Sequence, residues 1–210
     1  MRIRTAETAL LLAGIAGCTG PDTPEIDYLP PSGRPAADRS AFVRQQPWLV
    51  WGNILDHLQQ QGAQVTALDE VRGTLVIAYS GDPEPYVDCG WIVTYEEDDL
   101  ERLPAARSEA SFPRRRDGDV VTLARELRLD ARLNVQVEPS GEDAVVRTDG
   151  TYVLTKTIAS SEREQPLHTE TISFQTGQSD AFSSGTKCQA NGELERLVFE
   201  ALPTVSLAGG

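Results

Sequence analysis

The chain has 210 residues and a formal net charge of −13, with 32 acidic side chains against 19 basic ones. A surface that acidic repels phosphate backbones and argues against nucleic acid as a partner. With two histidines and three cysteines there is little from which to build a metal centre, and no apolar run reaches the ~20 residues that a membrane helix needs.

At the N-terminus Arg2 and Arg4 precede the apolar run from Leu10 to Gly17, which closes in small residues before Cys18. That order is the order of an export signal. Ile15-Ala16-Gly17-Cys18 resembles the lipobox of the bacterial exported lipoproteins. The resemblance implies a signal peptide over residues 1–17, diacylation of the Cys18 thiol, cleavage before it, and acylation of the new amino group by a palmitate-type chain. Several acyl chains give durable attachment where one does not. Residue 19 is Thr, not the aspartate that in enteric lipoproteins implies inner-membrane retention, so the resemblance implies the outer membrane, with the domain facing the periplasm. Loss of residues 1–17 removes two arginines and one glutamate, taking the charge from −13 to −14.

Residues 18–40 read as a flexible tether, because Pro21, Pro24, Pro30, Pro31 and Pro35 deny the chain regular hydrogen bonding. Ile26, Tyr28 and Leu29 are its only apolar cluster: a candidate partner-binding segment, or a stretch that folds back on the domain. The globular part is expected over 41–205, as one domain or as subdomains 41–110 and 118–205. Of the cysteines left after lipidation, Cys89 and Cys188 are expected to pair in an oxidising compartment, the alternative being two separate buried thiols.

Pro47 opens a helix in which Trp48, Trp51, Ile54, Leu55 and Leu58 recur at spacings of three and four, with Gly62 as the stop. The two tryptophans read as core, and His57 as a boundary residue. Gln64 to Leu68 and Thr74 to Tyr79 form a hairpin, and Tyr86 to Tyr95 a further strand. Leu100 to Ser108 reads as a short helix and Phe112 to Asp117 as an exposed connection. The clearest signal is the alternation of Val121, Leu123, Leu127, Leu129, Ala131, Leu133, Val135 and Val137, which a long strand alone can bury on one face. Ala144 to Ile158 returns beside it, and Thr169 to Phe174 extends the meander. Asn191 caps a last helix with Leu194, Leu197, Val198, Ala201 and Leu202 as its stripe. These elements point to an α+β fold, an antiparallel sheet with helices packed on one face.

The stretch from Trp48 to Tyr79 is similar to the helix-grip repeat of the BamC lipoproteins of the outer-membrane β-barrel assembly machinery. Tyr79 to Gly90, with Gly192-Glu193-Leu194-Glu195, also resembles a group of uncharacterised proteobacterial lipoproteins. The first resemblance implies a non-catalytic scaffold whose N-terminal segment binds a partner.

Enzyme motifs are sparse. His57 and His168 stand far apart without an HExxH, and neither a GxSxG nor a cofactor-binding fingerprint occurs. Ser184-Gly185-Thr186-Lys187 matches S-x-x-K, but its S-D-N and K-T-G companions are missing; Asp82, Glu84 and Asp88 read as a proline-punctuated structural loop. The expectation is therefore an anchored envelope protein without enzymatic activity, metal or cofactor, serving as a scaffold for an envelope protein partner. The alternative is a carrier of a small ligand or lipid.

Overall fold

A long alternating run buries one face only as an extended strand, and this strand organises the molecule. The computed structural model describes residues 25–35, 39–96, 99–116, 119–160 and 165–203. In chain order the elements are β1 (Glu25–Leu29), β2 (Arg39–Val43), α1 (Pro47–Gln60), β3 (Gln64–Asp69), β4 (Thr74–Gly81), β5 (Val87–Asp88) and β6 (Trp91–Glu96). They continue with β7 (Asp99–Pro104), β8 (Glu109–Arg116), β9 (Asp119–Ser140), β10 (Asp143–Ser160), β11 (His168–Gln175), β12 (Ser179–Ala181), β13 (Lys187–Ala190) and α2 (Glu193–Phe199).

β9 and β10 form a long antiparallel hairpin turning at Gly141 and Glu142, with Val137 opposite Val146 and Leu123 opposite Ser160. Each flank of this hairpin is shared by two strands: β4 and β8 pair successive stretches of β9, while β2 and β11 pair successive stretches of β10. β3 closes one edge by pairing with β4. Two three-stranded sheets complete the fold, β1-β6-β7 and β12-β13-β5. On the inner face, Leu127, Leu129, Ala131, Leu133, Val135 and Val137 of β9 meet Ala144, Val146, Tyr152 and Leu154 of β10. α1 contributes Val50, Trp51, Ile54 and Leu58 to this core, and α2 contributes Leu194 and Val198.

The described residues are mostly antiparallel strand with only two short helices, so the fold is β-rich and the α+β expectation is corrected. The extra strands come from segments whose own pattern is weak. Leu100 to Ser108 holds β7 rather than a helix, because β6 offers a backbone partner from Trp91 opposite Pro104 to Glu96 opposite Asp99. The expected connection at Phe112 to Asp117 is largely β8, which among the described residues pairs only with β9; Pro113, which lacks an N–H, is tolerated on such an edge strand. Tyr86 to Tyr95 breaks into β5 and β6 at Gly90, where φ is 77° and a Cβ would lie 2.1 Å from the Leu29 carbonyl oxygen. Trp48, expected in the core, is 66% exposed and donates its indole N–H to Gln46 Oε1 at 2.6 Å, while Val50 takes the buried position.

Within the stretch 18–40, expected as a flexible tether, part of the chain is paired as strand. Residues 25–29 pair with β6 from Glu25 opposite Tyr95 to Leu29 opposite Trp91, and β2 pairs with β10. A division into 41–110 and 118–205 cuts through the sheet, since β4 from the first stretch bonds β9 from the second. The expected signal peptide at 1–17, the expected lipidation at Cys18, and residues 19–24 and 36–38 of the expected tether lie outside the described residues.

Candidate functional site

Cys89 and Cys188 form a disulfide, with Cα atoms 4.0 Å apart and 99 residues between them in sequence. It joins the residue after β5 to β13, and so staples two neighbouring strands of the β12-β13-β5 sheet to each other. The turn between β12 and β13, residues 182–186, projects over one end of the long hairpin. β1 and β6 lie over the same end.

Between these covers and the inner face of the hairpin runs a cleft of about 520 Å³. Ile26, Tyr28, Ile92, Ala105, Phe112, Leu127, Ile158 and Phe182 form its apolar walls. Its polar lining comes from Arg125, Lys156, His168, Ser183, Ser184 and Thr186, with exposed Asp27 at the rim. Ile26 and Tyr28 of the expected partner-binding segment thus form part of a wall, and the Tyr28 hydroxyl clamps β13 by donating to the Lys187 carbonyl at 3.1 Å and accepting from the Lys187 N–H at 2.8 Å. Leu29, the third residue of that segment, is exposed and does not line the cleft.

Two cations sit on the floor of the cleft. Arg125 faces Ile158 across β9 and β10, and Lys156 faces Leu127, so the two occupy diagonal positions on one face. The Lys156 ammonium lies 3.0 Å from Glu170 Oε2, donates to Ser184 Oγ at 3.1 Å and stands 4.2 Å above the Phe182 ring. Glu170 in turn accepts from the Ser183 N–H and hydroxyl. The Ser183 amide first, and then the Lys156 ammonium, hold the Glu170 carboxyl down at about 2 against opposing desolvation.

Arg125 differs from Lys156 in having no carboxylate within ion-pairing distance among the described residues. Its Nη1 and Nη2 donate to the carbonyls of Ala105 and Arg107 at 3.0 and 2.8 Å, and the guanidinium stands 5.9 Å from the centre of the Phe112 ring. The Nε–H is buried and without an acceptor, and burial pushes the Arg125 pKa down. Arg125 is only 8% exposed. A buried charge in this position carries a desolvation cost that carbonyl dipoles offset only in part.

Neither cation was singled out in the sequence, although a signal was there. Arg125 occupies an odd position inside the odd-numbered apolar alternation of β9, and Lys156 an in-phase position between Leu154 and Ile158 in β10. A charged side chain that keeps the phase of a buried stripe is carried into the interior with it.

Ser184, noted for its S-x-x-K spacing, meets a different lysine. Lys187 is exposed in β13, and Lys156 comes to Ser184 from β10. Because Lys156 donates to Ser184 and is ion-paired to Glu170, it holds no free lone pair with which to take the hydroxyl proton. His57 lies half-buried on α1 with its Nε2 unpartnered, remote from His168 at the cleft, and no group of ligating side chains suits a metal among the described residues. Asp82 and Asp88 are loop-formers: their carboxylates accept from the amides of Glu84 and Gly90 at 3.1 and 2.8 Å.

A second groove, about 810 Å³, crosses the outer face of the sheet between Thr74, Asn134, Gln136, Arg147 and Asp149. It is the larger of the two and as open as the inner cleft, but its lining is more polar, and Arg147 is already paired with Glu138 at 3.6 Å. The inner cleft, with its unpaired buried charge, is the better candidate. No protein-family model matches the chain, and no curated protein matches it either.

Proposed function

We propose that this chain is a lipid-anchored envelope protein, attached through Cys18 to the outer membrane and facing the periplasm, whose domain works by binding a small ligand in the inner cleft. The observation that carries the reading is the cleft itself: its volume falls within the usual range for ligand sites, and apolar walls surround a few convergent polar groups. The disulfide supports an oxidising compartment. The pairing of Lys156 with Glu170 favours binding over nucleophilic chemistry at Ser184.

Native mass spectrometry of the full chain, extracted from bacterial membranes in mild detergent, tests both parts. The expected species carries an acylated Cys18 at its amino terminus and releases a small molecule in stoichiometric amount on denaturation. An unprocessed amino terminus would remove the anchor from the reading; a chain that never carries a releasable molecule would remove the cleft.

A scaffold role, as the BamC resemblance implies, is the second reading. It is favoured by the edge strand β3, where Val65 and Leu68 are exposed beside Val71, itself 99% exposed. An unpaired edge with apolar side chains accepts an added strand from a partner. Recovery of one stoichiometric protein partner that Leu68→Lys releases is the outcome this reading expects.

A further inference from the structure

The cleft reading leaves open what the ligand is, and the lining narrows its chemistry. We infer that the cleft takes an amphiphile with a single carboxylate head, the head pairing with the Arg125 guanidinium and the chain lying on Ile92, Phe112, Leu127 and Ile158. The inference rests on the cleft being a ligand site. Its new content is the charge and shape of the ligand.

Three observations converge on it. Among the described residues Arg125 is the buried cation of the cleft without a counter-ion, and one of its N–H groups has no acceptor there; the other cation, Lys156, is already neutralised by Glu170. Buried polar groups are almost always satisfied, so an orphaned arginine donor beside a cleft calls for an acceptor that the described residues do not supply. The wall opposite is apolar, which suits a hydrocarbon chain and disfavours a multiply charged head. One unpaired positive charge matches one carboxylate. Asp27 is the only carboxylate among the lining residues, and it stands exposed at the rim, where water screens it.

Isothermal titration of the full chain in lipid nanodiscs, with empty discs subtracted, tests the inference using octanoate, octanol and octylamine as probes. Octanoate is expected to bind about tenfold or more tighter than octanol, as a charge-assisted contact implies, and octylamine weakest of the three. Decanoate should bind tighter than octanoate by up to about fourfold per added methylene. Arg125→Met should abolish the preference for octanoate while leaving octanol binding in place. If that variant fails to fold, the ranking of the three probes on the unmodified chain decides alone. Equal binding of octanoate and octanol, or a preference for octylamine, overturns the carboxylate assignment while the cleft remains a ligand site. Failure of all the probes to bind, with a molecule still released from the membrane-extracted protein, overturns the amphiphile; failure of both experiments removes the cleft reading as well.

Discussion

The two ends of the β9-β10 inner face are made by the same pair of strands and have opposite characters. At the hairpin end, Leu133, Val135 and Val146 are sealed by α1 and α2, and the one buried carboxylate there, Glu195, accepts from the Tyr152 hydroxyl at 2.9 Å and the Thr176 hydroxyl at 2.7 Å. Burial and the neighbouring Glu195 push the Tyr152 phenol pKa up, so that it remains a donor. At the far end, Arg125 and Lys156 replace the aliphatic residues, no helix covers them, and the roof is made of short strands and a turn. A core end is closed by side chains that fill it; a cleft remains where long charged side chains take the floor and only small sheets lie above.

Breaking the roof should have the largest effect. Cys89→Ser removes the covalent link between β5 and β13, and the chain-entropy model assigns a crosslink of this span up to about 4.7 kcal/mol. Urea denaturation with and without reductant should show a lower midpoint for the variant and no further loss on reduction. At the sealed end, Leu133→Ala should cost about 2–5 kcal/mol in the same assay, because the surrounding strands and helices cannot collapse into the space.

Gly150→Ala sharpens the contrast. Its added Cβ would stand 2.7 Å from Thr176 Oγ1 and 2.8 Å from a Tyr152 ring carbon, so the Glu195 network must shift, for about 1–3 kcal/mol. Probe binding at the cleft should be unchanged, and a parallel loss there would show that the two ends are coupled.

Acid should act on the open end through Glu170. Its carboxyl is held below the unfolded value of 4.5, at about 2, so the native state favours the ionised form. That contribution is present above about pH 4.5 and is lost as pH falls toward 2. Glu170→Gln should flatten the dependence of the urea midpoint on pH across this window, the smallest effect of the four because the pair lies near solvent.

Some of this was legible in residue order alone. The long alternation of β9, its return as β10, the helix after Pro47 and the Cys89-Cys188 pair follow from local periodicity, proline and glycine punctuation, and cysteine number, all of which act within a few residues or by elimination. Asn191 is expected at the helix cap, but Gly192 takes that position with φ 86°, and the Asn191 side chain accepts from the Glu193 amide at 3.0 Å from one residue further out.

What only the folded chain decided was where the weakly patterned segments found partners. β1, β7 and β8 have no alternation strong enough to declare them, and they are strands because β6 and β9 present unpaired backbone to them. For the same reason the Pro-rich stretch around Ile26 and Tyr28 became a wall rather than a free tether. The pairing of Lys156 with Ser184 and Glu170, and the isolation of Arg125, depend on segments up to 28 residues apart meeting on one face. Periodicity tells which face a side chain takes. Only the packing of distant strands tells what that face meets, because such contacts follow from register and twist and leave no mark in neighbouring residues.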